Sequence, residues 1–173
     1  MTRAEHDRSQ TVASPDTVRP GADDHARVGF PPPLIHLAAV LLAAGLATIW
    51  PLGLPPAPGL TVAGLLLVAV SVLFAVGALR EFARHRNPVA PNRPVQGLMT
   101  GGPFRFTRNP LYVALALLQA GGALLAREGW VLLTLLPALV VVRCYVIARE
   151  EAYLARRFGA AYGEYRTRVR RWI

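Results

Sequence analysis

The chain has 173 residues, of which 53% are hydrophobic and only 17% charged, well below the roughly 25% charged of soluble domains. Its formal net charge is +9, and apart from four histidines every basic residue is arginine. The arginines flank long apolar runs instead of lining one face of a soluble fold, which excludes nucleic-acid binding and marks the cytoplasmic side of a membrane protein. The single cysteine, Cys144, lies in an apolar run, so neither a disulfide framework nor a thiolate metal cluster is expected, and no metal site is read from the sequence.

In chain order, residues 1–29 are polar, mixed in charge and without the apolar core of a secretory signal, and read as a disordered cytoplasmic tail. Residues 30–173 read as one all-α, polytopic integral membrane domain. The first apolar run, about 34–50, ends at Pro51, and further prolines at 55, 56 and 58 make a short turn. The second, about 60–79, carries no charge, and its length suits the roughly 20 residues that cross about 30 Å of hydrocarbon. The third, about 111–126, contains Gly121 and Gly122; the fourth, about 130–147, contains Pro137 and Arg143; together they suggest a tight helical hairpin. Four transmembrane helices are therefore expected.

Arg80, Arg84, Arg86, Arg93, Arg105 and Arg108 crowd the segment between the second and third runs, whereas the other two turns hold only Arg127. The middle segment is thus expected in the cytoplasm together with both termini, at the inner membrane if the source is bacterial. In the C-terminal segment, 148–173, Leu154, Phe158, Tyr162, Tyr165 and Val169 recur every three or four residues, which is one face of an amphipathic helix. Gly159 and Gly163 suggest a bend or a close approach within it.

The most informative stretch is GGPFRFTRNPLY, residues 101–112. Two glycines and Pro103 make a shaped turn, and Pro110 stands where the first turn of a helix tolerates proline. The free N–H groups of such a helix start, with Arg105 and Arg108, make a seat for a small carboxylate or phosphate; the competing reading is contact with lipid headgroups. Adjacent carboxylates at Glu150 and Glu151 are unexpected at the end of the fourth helix, because a helix C-terminus favours cations. They read either as partners of the arginines or as ligands of ribose hydroxyls or a cation. Arg143, ionisable and inside an apolar run, is a functional candidate by its position, with snorkelling to the interface as its alternative.

GPFRFTRNPLY, followed about forty residues later by REEAYLARRFGAAYGEYRTRV, closely resembles the isoprenylcysteine carboxyl methyltransferase family and more distantly the phospholipid N-methyltransferases. The paired motifs are complete: Arg108, Asn109, Pro110 and Tyr112, then Glu150, Glu151, Leu154, Phe158, Gly159, Tyr162 and Tyr165. Asn109 stands where the eukaryotic enzymes have histidine, and the first half of the chain matches only as generic membrane helices. The resemblance implies S-adenosylmethionine held at the motif residues Arg108, Asn109, Pro110, Tyr112, Glu150, Glu151, Tyr162 and Tyr165; the turn adds Gly102, Pro103 and Arg105 as cofactor-binding candidates, and Arg108, Arg143 and Glu150 are the candidates for catalytic roles. The implied reaction is methyl transfer to a lipophilic acceptor entering from the bilayer, first a carboxylate of the isoprenylcysteine type. A phospholipid amine or a small thiol is the alternative acceptor. A membrane reductase using NADPH and a non-catalytic scaffold or transporter are the readings from other classes.

Overall fold

The computed structural model describes residues 26, 28–90 and 93–173. Its architecture is all-α, with five helices among the described residues: α1 Pro32–Ile49, α2 Pro58–Arg84, α3 Pro110–Ala126, α4 Gly129–Val141 and α5 Ala148–Arg168. A six-residue π-helical segment, Val142–Ile147, joins α4 to α5, so the helical rod that begins at Gly129 continues without a break to a kink at Gly159. Three helices, α1, α2 and this rod, are long and apolar enough to cross a membrane; α3, with 17 residues, is a shorter apolar helix. The apolar part of the rod ends at Ile147, and α5, with its carboxylates and arginines, lies beyond the span.

The distribution of side chains is that of a protein whose solvent is hydrocarbon. Small residues are buried between helices, with Ala43 and Ala78 at 0% exposure, whereas Leu73 is 71% and Leu41 63% exposed. In lipid there is no hydrophobic force between helices, so small residues that let backbones approach form the interfaces and large apolar side chains face outward. Gly64 and Gly121 show the reason at the α2–α3 crossing: a Cβ on Gly121 would stand 2.8 Å from the Gly64 carbonyl oxygen, so only glycine permits this approach. Nearer the arginine-rich end, the Ser71 hydroxyl donates to the Ala114 carbonyl at 2.8 Å, satisfying a polar group at membrane depth.

α2 extends past the expected 60–79 to Arg84, because nothing in LREFAR breaks a helix; it ends where Arg86 turns left-handed ahead of Asn87 and Pro88. α1 pairs chiefly with α4 and α2 with α3. At the arginine-poor end the two turns are tied: Leu54 N–H donates to Arg127 O and Gly129 N–H to Leu52 O, both at 2.8 Å, and the Trp130 indole donates to Trp50 O at 2.6 Å. Arg127, left-handed at φ 56°, and Glu128, which caps Trp130 N–H at 3.2 Å, make the α3–α4 hairpin tight.

α5 is the expected amphipathic helix. It buries Tyr153, Tyr162 and Tyr165 and exposes most of its arginines; it bends at Gly159, whose φ of 50° and ψ of −123° lie outside helical space. Most of the expected N-terminal tail, 1–29, lies outside the described residues. Ala26 and Val28 are described, and both are buried against Val146 and Tyr153, so the packed domain reaches into that stretch.

Candidate active site

At the arginine-rich end a cavity of about 790 Å³ opens between α2, α3, α5 and the segment that joins α2 to α3. One arm is apolar, walled by Ala75, Leu79, Leu111 and Leu115; the other carries Arg108, Asn109, Tyr112, Glu150, Glu151, Tyr162 and Tyr165. Motifs some forty residues apart thus face each other across one space. The walls are mostly hydrocarbon, with Arg108, Glu150 and Glu151 as their charged groups, which suits a ligand with a polar head and an apolar body.

The joining segment is held by a few buried polar groups. Asn87 accepts from the N–H groups of Gln96 and Gly97 at 2.7 and 3.2 Å and donates to Gly97 O at 2.7 Å, closing a ten-residue loop. Tyr153 accepts from Val95 N–H at 3.1 Å and Arg157 donates to Val95 O at 2.6 Å, docking that loop on α5. Glu81, buried near the end of α2, takes Arg84 at 3.2 Å and His85 at 3.8 Å and packs directly beneath Gly101, where a Cβ would stand 2.7 Å from its Oε2. The 3₁₀ turn Gly102–Arg105 follows, and its Phe104 carbonyl accepts the Tyr165 hydroxyl at 2.7 Å.

The turn into α3 is gripped by the C-terminal segment. Arg108 N–H donates to Arg170 O at 3.0 Å, and Arg171 O accepts both the Thr107 hydroxyl at 3.1 Å and the Asn109 side-chain amide at 2.9 Å. Asn109 therefore works as a strap between two chain segments. The buried carboxylate of Glu151 takes Arg171 in a fork, Nε to Oε1 at 3.0 Å and Nη2 to Oε2 at 2.5 Å. Arg108 Nη1 lies 3.3 Å from Oε1 of the same group.

Two features of this polar end are unusual. Arg108 Nε and Nη1 are buried and lack hydrogen-bond partners, although an unsatisfied buried donor costs about 1–3 kcal/mol and more when charged. Glu150 accepts the Tyr112 hydroxyl at 2.7 Å and, among the described residues, shows no arginine partner. Burial pushes its carboxyl up to about 7; the Tyr112 hydrogen bond pulls back and the Glu151 charge pushes further up. Burial likewise raises the hydroxyls of Tyr162 and Tyr165, with Arg108 opposing in both. The site thus offers unfilled N–H donors on one side and a carboxyl poised between its charge states on the other.

The structure brings together Arg108, Asn109, Pro110, Tyr112, Glu150, Glu151, Tyr162 and Tyr165. It does not bring Arg143, Gly102, Pro103 or Arg105 to the cavity wall. Arg143 is exposed on the outer face of the π-helical segment, whose inward positions are Val142, Val146 and Ile147. Buried Leu135, Ala138 and Val142 keep the inward phase of α4 at i, i+3 and i+7, and Arg143, one residue further on, falls outside that stripe. Arg105 is exposed because the 3₁₀ turn sends Phe104 inward in its place. Sequence reasoning missed Glu81, Asn87 and Arg171 as site-building residues; for Asn87 the signal was an asparagine before proline at a helix end, and for Arg171 there was none beyond a basic run.

The phospholipid methyltransferase family profile matches residues 60–161, well over half of the chain. That range runs from α2 into α5 and takes in both the Arg108 turn and the Glu150–Glu151 pair. A protein of Haemophilus influenzae described as uncharacterized is 33% identical over 63 residues, which is 36% of this chain and 100% of that protein. No solved structure matches the chain. The matching profile is that of the relatives the motifs resembled more distantly, so the wider grouping is shown and the isoprenylcysteine subgroup is not. A membrane-embedded helical bundle, a cavity that joins its two motifs, and this match place the chain in the phospholipid methyltransferase family.

Proposed function

We propose that the protein is an S-adenosylmethionine-dependent methyltransferase acting on a lipophilic acceptor that enters from the bilayer, with the arginine-rich end and both termini in the cytoplasm. The observation that carries this reading is the buried guanidinium of Arg108, whose Nε and Nη1 make no hydrogen bond among the described residues and whose Nη1 has only an offset ion pair with Glu151; it lines the same cavity as Glu150. An amino-acid head carries one carboxylate and one ammonium; Arg108 suits the first, and Glu150, without an arginine partner among the described residues, suits the second. Tyr162 and Tyr165 add aromatic faces on the same wall, which attract a sulfonium or stack on an adenine. The residues therefore fit the cofactor. When bound, S-adenosylmethionine supplies an electrophilic methyl on a sulfonium.

The chain's own part is chiefly alignment, which supplies about 7–11 kcal/mol when reacting groups are held in line. The apolar arm takes the acceptor's tail: Ser71 at its wall already donates to Ala114 O and offers no spare donor, so hydrocarbon is the suitable filling. The carboxylates at the polar end bear on the acceptor class. An amine headgroup approaches a wall that carries Glu150 and Glu151 and is attracted to it, whereas a carboxylate acceptor would enter beside two other carboxylates, with Arg108 already engaged by the cofactor. The phospholipid amine is thus favoured over the isoprenylcysteine carboxylate.

Titrating the detergent-purified protein with S-adenosylhomocysteine and with NADPH tests the reading. Saturable binding of the first alone is expected. Binding of NADPH alone would assign the cavity to a reductase, and binding of neither would point to a scaffold or transporter.

A further inference from the structure

Three guanidinium nitrogens surround the two oxygens of Glu151. Arg171 holds both oxygens in a fork at 3.0 and 2.5 Å, and Arg108 Nη1 reaches Oε1 only at 3.3 Å, without the alignment of a hydrogen bond. A bidentate guanidinium fills a carboxylate far better than a single offset nitrogen. Glu151 is thereby occupied, and among the described residues Arg108 keeps a buried Nε with no hydrogen-bond partner and an Nη1 held only by an offset ion pair.

Arg171 lies beyond α5 and outside both motifs. Its main chain and side chain act separately: the carbonyl anchors Thr107 and Asn109, and the guanidinium takes Glu151. Replacing the side chain therefore leaves the anchoring of the segment in place.

We infer that Arg171 is a positioning residue: by occupying Glu151 it keeps Arg108 open to the carboxylate of a ligand in the cavity. Without the fork, Glu151 is a buried carboxylate lacking its main partner, and Arg108, already in contact, is the cation within reach. The two close on each other, because a buried charge left unpaired is costly, and the ligand's seat is lost. The inference rests on the proposed methyltransferase reading, since it takes the ligand to be the cofactor.

The test compares the full-length wild type with Arg171→Gln, Arg171→Lys and the double variant Arg171→Gln with Glu151→Gln, each titrated with S-adenosylhomocysteine in detergent. Loss of a charge-assisted contact predicts roughly tenfold weaker binding for Arg171→Gln, with a raised KM for the cofactor and a kcat at saturation near that of the wild type. Arg171→Lys keeps the charge without the fork and should recover part of the affinity. The double variant is decisive: with no carboxylate to capture Arg108, it should bind at least threefold more tightly than Arg171→Gln alone, about 0.7 kcal/mol by the usual conversion. If Arg171 only braces the fold, the double variant will be as weak as the single one or weaker, and the inference is overturned. Unaltered binding by Arg171→Gln also overturns it while leaving the functional reading intact. A wild type that binds no S-adenosylhomocysteine overturns both.

Discussion

Glu150→Gln should make the protein more stable at pH 8 than the wild type while damaging its function. Glu150 lies beyond the membrane span, and burial raises its carboxyl from the ordinary 4.5 to about 7. Below about pH 4.5 the carboxyl is neutral in both folded and unfolded states, so nothing is lost. As pH rises through 7, the folded protein must either bury a charge or hold a proton that the unfolded chain has already released. The stability present at low pH is therefore lost between about 4.5 and 7, and at about 1.4 kcal/mol per pH unit the full loss is about 3 kcal/mol at most. Glutamine keeps an oxygen to accept the Tyr112 hydroxyl and carries no charge. Thermal unfolding in detergent, followed by tryptophan fluorescence at pH 4.5 and 8, should show matching midpoints at the lower pH and a higher midpoint for the variant at the upper, by roughly 2–4 °C per kcal/mol for a chain of this length. Losing the buried carboxylate should also weaken S-adenosylhomocysteine binding by about 1–3 kcal/mol. A midpoint difference that is the same at both pH values would refute the assignment of a buried, protonatable carboxyl.

Arg108→Lys keeps the charge and loses the planar fork, so methyl transfer should fall by about an order of magnitude or more with membrane insertion intact, as measured by turnover and by membrane fractionation. Asn109→Ala removes the amide that holds Arg171 O and should cost about 1 kcal/mol, visible as faster tryptic cleavage at Arg170 and Arg171. Gly121→Val forces a side chain against the Gly64 carbonyl and should destabilise by about 1–3 kcal/mol, lowering the unfolding midpoint while leaving the site residues untouched. Deleting residues 1–25 should leave cofactor binding at the wild-type level, whereas deletion through Gly29 removes Ala26 and Val28 from the cavity wall and should raise the acceptor's KM.

The apolar runs made the helices legible, and α1, α2 and the rod that begins at Gly129 are long and apolar enough to cross a bilayer, whereas α3, expected as a further span, has 17 residues and is shorter than these. The extension of α2 past its expected end has a plain cause: the charged residues of LREFAR end a hydrophobic run but do not end a helix. The meeting of Arg108 with Glu150 and Glu151 was legible through the paired motifs, since they say which segments share a site. Which of two adjacent carboxylates faces a ligand was not. That depends on helix phase, and the π-helical segment Val142–Ile147 resets the phase just before them. Arg171 was hidden for a different reason: its role depends on the C-terminal segment folding back over residues 107–109, a long-range pairing that no local periodicity encodes. Glu81 was hidden because a buried carboxylate beneath a glycine turn looks, in sequence, like any other acid at a helix end.

The most direct test of the central claim is methyl transfer itself. The purified protein, reconstituted in bilayers made from its host's lipid extract, is supplied with S-adenosylmethionine carrying an isotopic label in the methyl group, and the lipids are separated and read by mass spectrometry. The expected result is label in a lipid species, on an amine of a phospholipid headgroup, at a rate that falls about tenfold or more in the Arg108→Lys variant. Label on a lipid carboxylate would keep the methyltransferase and change its acceptor. No labelled lipid from a protein that is folded and inserted would contradict the account.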